Sequence, residues 1–169
     1  PRVASVSTFT RFFRRFQQSG VTEVFGNLQR WFWNQMPAKT LTLDLDSSVM
    51  TRYGEQEGAE VGYNPTKRGR PSHHPLFAFV ADLRMVLHAW LRPGDASSAN
   101  NVNAFFEEAL SFLDSRHRVA LVRADSGFFG GNFLEMLETK AIRYIVAVRI
   151  NPVVRSMVCG LKNWVSVDQ

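Results

Sequence analysis

The sequence predicts an α/β fold organised around a parallel strand pair, and three observations predict it. Residues 119–122 and the run "RYIVAV" at 143–148 are apolar and of strand length, with a helix-length segment between them. Strand, helix, strand in that order needs a crossover, which makes the two strands parallel. A further β-like run at 41–46 ends in acidic and hydroxyl side chains, where the strands of such a sheet place functional groups.

The elements in order begin with a helix. Phe9, Phe12, Phe13 and Phe16 fall at i, i+3, i+4 and i+7, an aromatic stripe on a helix that Ser7 or Thr8 would cap and Gly20 would follow. Arg11, Arg14 and Arg15 share the other face. A second helix is predicted over 22–34, with Val24, Phe25, Leu28, Trp31 and Phe32 inward and Pro37 ending it. Residues 52–75 carry Gly54, Gly58, Gly62, Pro65, Gly69, Pro71 and Pro75, a density of breakers that predicts a long loop. Residues 76–91 fit either a helix, by the spacing of Leu76, Phe79, Val80, Leu83, Val86, Leu87 and Trp90, or a hairpin turning near Asp82 to Arg84. "RPGD" at 92–95 is a turn. Val102, Phe105, Phe106, Ala109, Leu110 and Leu113 then form one face of a helix over 98–113, with Ser98 as its candidate cap. Asn132 and Glu135 have capping-box spacing and open a helix through about Thr139.

The 169 residues suggest one domain, with 45% hydrophobic content in the ordinary globular range. No apolar run is long enough to span a membrane. Cys159, the single cysteine, excludes an internal disulfide and fits a reducing cytoplasm. The net charge of +5 is unevenly placed. Residues 1–40 hold six basic side chains (Arg2, Arg11, Arg14, Arg15, Arg30, Lys39) against Glu23, and the remainder is neutral. Such a segment is either a phosphate-seeking surface or a solvated helix face. Lys67, Arg68 and Arg70, interleaved with Tyr53 and Tyr63, are a second candidate nucleic-acid contact, with a plain solvated loop as the alternative.

The stretch "TLDLDSSVMTRYGEQEG" places Asp44 and Asp46 on one strand face. Two carboxylates there repel unless a cation or a basic side chain joins them. Asp125, ending the strand at 119–122, is a third acid at a strand end.

The blocks "LTLDLDSSV", "TRYGEQEGAEVGYNPTKRGRPSHHPLFAF", "WLRPGDASSANN" and "VRADSGFF" resemble the DDE transposases of bacterial insertion sequences over about residues 38–150. The resemblance implies an RNase H-like core: a five-stranded mixed sheet whose first three strands are antiparallel, so that 76–91 is a hairpin. By charge and periodicity 1–37 is a basic helical segment; the resemblance implies a partial catalytic core at 38–150 and, at 151–169, the start of a segment leading to a missing region. It further implies that Asp46 and Asp125 are the first two catalytic carboxylates and ligands of Mg²⁺ or Mn²⁺. Asp44 would be a neighbour that stays near the site or pairs with a basic side chain. The family's D-S-T reads Asp46-Ser47-Ser48 here, which keeps the hydroxyl.

Two metal ions about 3.5–4 Å apart can clamp an in-line phosphoryl displacement. The implied substrate is DNA, at insertion-sequence ends and target. Arg11, Arg14, Arg15, Lys67, Arg68 and Arg70 are candidate DNA contacts, and His73 and His74 would contact phosphate or order the loop. The full-length protein is expected to be a cytoplasmic bacterial homodimer with no membrane association.

The family's third carboxylate is a Glu in a Y-x-x-R-x-x-x-E pattern, which does not occur here. Glu135, Glu138 and Asp168 do not match it. The expectation is therefore the front part of a transposase, inactive alone, with an uncovered apolar patch that drives self-association. The alternatives are a noncatalytic remnant that binds DNA or only folds, and an RNase H-like nuclease acting on an RNA–DNA hybrid. The "RYGEQEG" and "SHHP" blocks disfavour the nuclease.

Overall fold

The structure is a computed structural model that describes residues 4–16, 18–37 and 39–163. Arg2 and Asp168 lie outside them. In chain order the elements are α1 (Val6–Phe13), α2 (Gln18–Asn34), β1 (Lys39–Ser47), β2 (Met50–Thr51), β3 (Glu60–Val61), β4 (Pro71–His73), β5 (Leu76–Val80), β6 (Met85–Trp90), α3 (Val102–Ser111), β7 (His117–Ala124), α4 (Gly131–Thr139), β8 (Arg143–Val146) and α5 (Pro152–Gly160). A short 3₁₀ turn, Ser126–Phe128, follows β7.

The main sheet has the order β6-β5-β1-β7-β8. β1 pairs antiparallel with β5, and β5 with β6, whereas β1–β7 and β7–β8 are parallel. This is the mixed sheet that the resemblance implied, and it resolves 76–91 as a hairpin. Its turn places Arg84 at φ 52°, and the exposed Leu83 and Val86 belong to the turn and the edge strand, not to a helix face. β1 takes the centre because Leu41, Leu43 and Leu45 alternate with polar residues, so every second side chain is buried. Leu76, Ala78 and Val80 of β5 and Val122 of β7 join the same core, which also contains Phe105, Phe106 and Ala109 of α3 and Phe133 and Leu137 of α4. Each fully buried Leu or Phe stabilises the fold by about 1.5–3 kcal/mol.

β7 carries a bulge. Leu41 partners Val119 but Thr42 partners Leu121, so Ala120 is an extra residue. A one-residue step changes which face a side chain occupies. Beyond the bulge, Asp44 partners Arg123 and Leu45 partners Ala124.

Several local expectations are corrected. Residues 52–75 are not one irregular loop, because they hold β3 and β4, which with β2 just before them form a small antiparallel sheet of order β2-β4-β3. Gly62 and Gly94 let that sheet sit against the 92–95 turn, since a Cβ on either would overlap backbone atoms. The helix predicted over 98–113 starts later, at Val102 after Asn101 (φ 56°), and Ser98 does not cap it. α4 begins at Gly131, with the N–H groups of Phe133 and Leu134 bonded to Gly130 O in place of an Asn132–Glu135 capping box. Ser5, not Ser7 or Thr8, caps α1, its Oγ accepting from the Thr8 N–H at 3.3 Å.

On α2 the contact face is rotated from the one predicted. Val24, Leu28 and Trp31 are exposed, and Trp33 is the buried residue, with Phe32 and Met36 packed beside it. Trp33 takes the core position, edge-on to Phe32 with ring centroids 5.5 Å apart. α1 buries nothing in the sheet, and its aromatic stripe instead meets α2 through ring contacts of Phe13 and Phe16 with Phe25. β8 is an edge strand rather than a fully buried one, and its Ile145 is 63% exposed. No helix of the described residues is long and apolar enough to cross a membrane.

Candidate active site

Asp46 and Asp125 follow directly on the last registered pair of the parallel ladder, Leu45 and Ala124. They are therefore rooted at adjacent positions on strands that run about 4.7–4.9 Å apart. Asp44, Asp46, Arg123 and Asp125 sit at alternate positions of their strands, which gives each pair one face. All four line one shallow depression, together with Phe79, Ile145 and Ala147.

The two acids are held alike. Asp46 Oδ1 accepts from the Ser47 N–H at 2.7 Å, and Asp125 Oδ1 accepts from the Gly127 N–H at 2.8 Å. Asp125 is in extended conformation at the head of the 3₁₀ turn, so its side chain is fixed by the turn that it opens. Both residues are exposed, and no further hydrogen-bond partner engages either carboxylate among the described residues.

Asp44 is differently placed. Arg123 donates Nε–H to Asp44 Oδ1 at 2.6 Å and Nη2–H to Oδ2 at 2.7 Å. This fork occupies both oxygens. Hydrogen bonding to Asp44, reinforced by its charge, raises the pKa of Arg123 above its usual value. The repulsion expected between Asp44 and Asp46 is thus relieved by a basic neighbour from β7. Arg123 was not singled out in the sequence; its position two residues before Asp125 was the available signal.

Below the carboxylates lies a polar network. Ser47 Oγ is 2.7 Å from Ser98 Oγ and 3.2 Å from His74 Nε2. Arg92, nearly buried, donates Nε–H to His74 O at 3.1 Å and Nη1–H to Ser97 O and Asn100 O at 2.8 and 3.0 Å. Desolvation lowers its pKa from the usual value, but an arginine stays charged. Sequence reasoning missed Ser98 and Arg92 in this setting, because their partners are backbone carbonyls and hydroxyls distant in sequence.

The basic candidates are scattered. Arg11, Arg14 and Arg15 are exposed on and just after α1. Lys67, Arg68 and Arg70 are exposed on the loop between β3 and β4, where Asn64 Oδ1 accepts from the Lys67 N–H at 2.8 Å. Arg70 lies over the Tyr53 ring, 5.8 Å from its centroid. His73 and His74 are buried, and both rings have hydrogen-bond partners within the protein. Arg52 Nε–H donates to His73 Nδ1 at 3.0 Å, and His73 Nε2 lies 3.1 Å from Glu57 O.

A hard divalent cation takes carboxylate oxygens, and the donors here are of that class. Among the described residues no group of three or more His, Cys, Asp or Glu is placed to hold a metal. Arg123 takes both oxygens of Asp44, which leaves Asp46 and Asp125 as the carboxylates of this face with an oxygen free of hydrogen bonds among the described residues.

Comparison with known proteins follows this geometry. No curated protein matches the chain. Among solved structures it is similar to the piggyBac transposase in a synaptic complex with hairpin DNA, with a TM-score of 0.54 and 11% identity, over 95% of this chain and 34% of that one. This chain therefore spans about a third of that transposase. The catalytic core domain of BIV integrase matches with a TM-score of 0.42 and 13% identity, over 71% of this chain and 62% of that one. A chain of the simian T-cell lymphotropic virus intasome in complex with PP2A regulatory subunit B56 gamma matches with a TM-score of 0.44 and 14% identity, over 73% and 36%. At such identities a likeness speaks of fold only. The sequence itself matches the family described as transposase DDE domain group 1 over residues 1–167, and the chain belongs to that family.

Proposed function

We propose that this chain carries the first two catalytic carboxylates of a DNA transposase, which cleaves and joins DNA strands by metal-assisted phosphoryl transfer. Asp46 and Asp125 are the residues that would hold Mg²⁺ or Mn²⁺. Bound there, such ions activate an attacking hydroxyl and stabilise the leaving oxygen. The observation that carries the reading is the register, which follows Leu45 and Ala124 with the two acids at neighbouring strand ends.

The protein's own groups do the positioning. Backbone N–H groups of Ser47 and Gly127 fix one oxygen of each carboxylate and leave the other oxygen for a cation. Arg123 neutralises Asp44, so that the added negative charge does not compete for the ion. Lys67, Arg68 and Arg70, with the exposed Tyr53 and Tyr63, offer phosphate and stacking contacts to DNA. Arg11, Arg14 and Arg15 add a second basic surface.

Two carboxylates are a sparse set for two ions, so the reading requires a further acidic donor from outside residues 4–163, or DNA phosphate oxygens. The same sparseness favours a second reading for this chain alone, in which it binds DNA without cutting it. The test is calorimetric titration of Mn²⁺, which accepts the same oxygen donors as Mg²⁺. Binding by the wild-type chain that both Asp46→Ala and Asp125→Ala lose supports the site. Equal binding by all three chains refutes it.

A further inference from the structure

We propose that Ser98 is a positioning residue that locks the Asp46 and Asp125 turns against each other, with Arg92 holding Ser98 in place. The inference rests on the reading of Asp46 and Asp125 as the metal-holding pair. It goes beyond that reading by assigning what sets their mutual geometry.

Each carboxylate is fixed by a backbone N–H shortly beyond it: Asp46 by Ser47, one residue on, and Asp125 by Gly127, two residues on. Ser98 bonds the first of these anchoring residues and lies against the second. Its hydroxyl is hydrogen-bonded to Ser47 Oγ at 2.7 Å. On the other side, a Cβ built on Gly127 would lie 2.9 Å from Ser98 Oγ, 3.1 Å from Ser98 Cβ and 3.0 Å from Asp125 Oδ1. Gly127 is therefore the residue that lets Ser98 pack against the Asp125 turn. A single side chain from the loop before α3 thus spans the ends of β1 and β7.

Ser98 would not hold two turns if its own loop were slack. Arg92 clamps that loop from beneath through Ser97 O and Asn100 O, and reaches His74 O with Nε. The His74 N–H returns a hydrogen bond to Arg92 O at 2.9 Å, and His74 Nε2 contacts the same Ser47 hydroxyl. The network closes on itself beneath the two acids. Groups of this kind, which orient a ligand without touching the ion, affect metal affinity by about 10- to 100-fold.

The test uses ¹⁵N-labelled wild-type chain and Ser98→Ala, Ser98→Thr and Gly127→Ala variants, with thermal melts as the folding control. In metal-free protein, Ser98→Ala should move the amide resonances of both Ser47 and Gly127, and Ser98→Thr should restore the Ser47 shift. Gly127→Ala approaches the same contact from the other side and should move the Ser47 resonance. Mn²⁺ affinity, read by electron paramagnetic resonance, should fall about 10- to 100-fold in Ser98→Ala. A Ser98→Ala chain that binds Mn²⁺ like wild type overturns the positioning role and leaves the site reading standing. If the wild-type chain binds no Mn²⁺, the site reading fails, and the metal-free resonances decide the positioning role alone. An unmoved Ser47 or Gly127 amide in Ser98→Ala overturns it.

Discussion

Arg123 grips Asp44 across the parallel strands with both prongs of its guanidinium, at 2.6 and 2.7 Å. Two residues further along the same two strands, Asp46 and Asp125 follow the last registered pair without such a partner. The contrast separates a neutralised acid from an available pair on one surface.

That contrast predicts different outcomes for neighbouring substitutions. Asp44→Asn should leave Mn²⁺ affinity within a few-fold of wild type, whereas Asp46→Asn should abolish it, as measured by calorimetric titration. The Asp44–Arg123 pair is substantially exposed, so Arg123→Ala should leave the urea midpoint almost unchanged. A large loss in Asp44→Asn would mean that Asp44 is itself a ligand.

The loop cations predict a salt-dependent DNA interaction. Lys67, Arg68 and Arg70 are exposed and follow an anchored turn at Asn64. Replacing all three by Ala should weaken binding of a short duplex and flatten the plot of log affinity against log salt by about 0.9 for each phosphate no longer neutralised. His73→Ala should act through stability instead, since that ring is buried between Arg52 and Glu57 O. Fluorescence anisotropy at several salt concentrations separates the two effects.

His88 predicts a pH limit on stability. The ring is buried and stacked on Phe105, with centroids 5.0 Å apart. Burial lowers its pKa below the ordinary 6.5, with Glu108 opposing the shift. Burial wins because Nε2 is 3.4 Å from Glu108 Oε2, an oxygen already taken by the Trp90 indole N–H at 2.7 Å. The unfolded chain then binds a proton that the folded chain resists, so stability should fall as pH drops through 6.5 toward the folded pKa. His88→Gln should flatten that limb in denaturant melts. Asp114 adds a more acidic limb: its hydrogen bond from Arg116 holds the carboxyl at about 2, so its contribution is lost between about pH 4 and pH 2.

The far end of the sheet predicts self-association. Ile145 on edge strand β8, Ile150 beyond it, and Val153, Met157 and Leu161 on or just after α5 are all exposed, and α5 buries no residue. Contiguous apolar surface of this kind drives association. Light scattering should give a mass above the 19.2 kDa monomer that rises with concentration, and Ile150→Lys with Met157→Lys should bring it down. A monomer at all concentrations would count against this.

The legible part of the molecule was the part with a period. The run at 41–46 was legible as a short strand, and strand, helix, strand over 119–148 was legible as the parallel pair β7–β8. Residues 76–91 were not legible from pattern alone. The two arms of a hairpin, with Leu83 and Val86 at its turn and edge, happen to reproduce a helical spacing, and the family resemblance decided between them. The small sheet of β2, β3 and β4 was hidden because strands of two or three residues have no period to detect. Arg123 was not singled out as the partner of Asp44, because the bulge that sets its register leaves no mark in composition.

That bulge gives the chain an uneven tolerance to changes in length. Ala120 is the unpaired extra residue of β7, and the pairs on either side of it, Leu41–Val119 and Thr42–Leu121, already follow one another as in a regular ladder. Deleting it would close the ladder and leave Asp125 beside Asp46. β1 has no such residue to give up, so losing one between Thr42 and Asp46 would turn Asp46 toward the opposite surface. Adding or removing one residue between Lys67 and Gly69 would only reshape an exposed loop. A library of single-codon deletions should record tolerance at Ala120 and a plateau across 65–70, beside a sharp dip in function across 43–45.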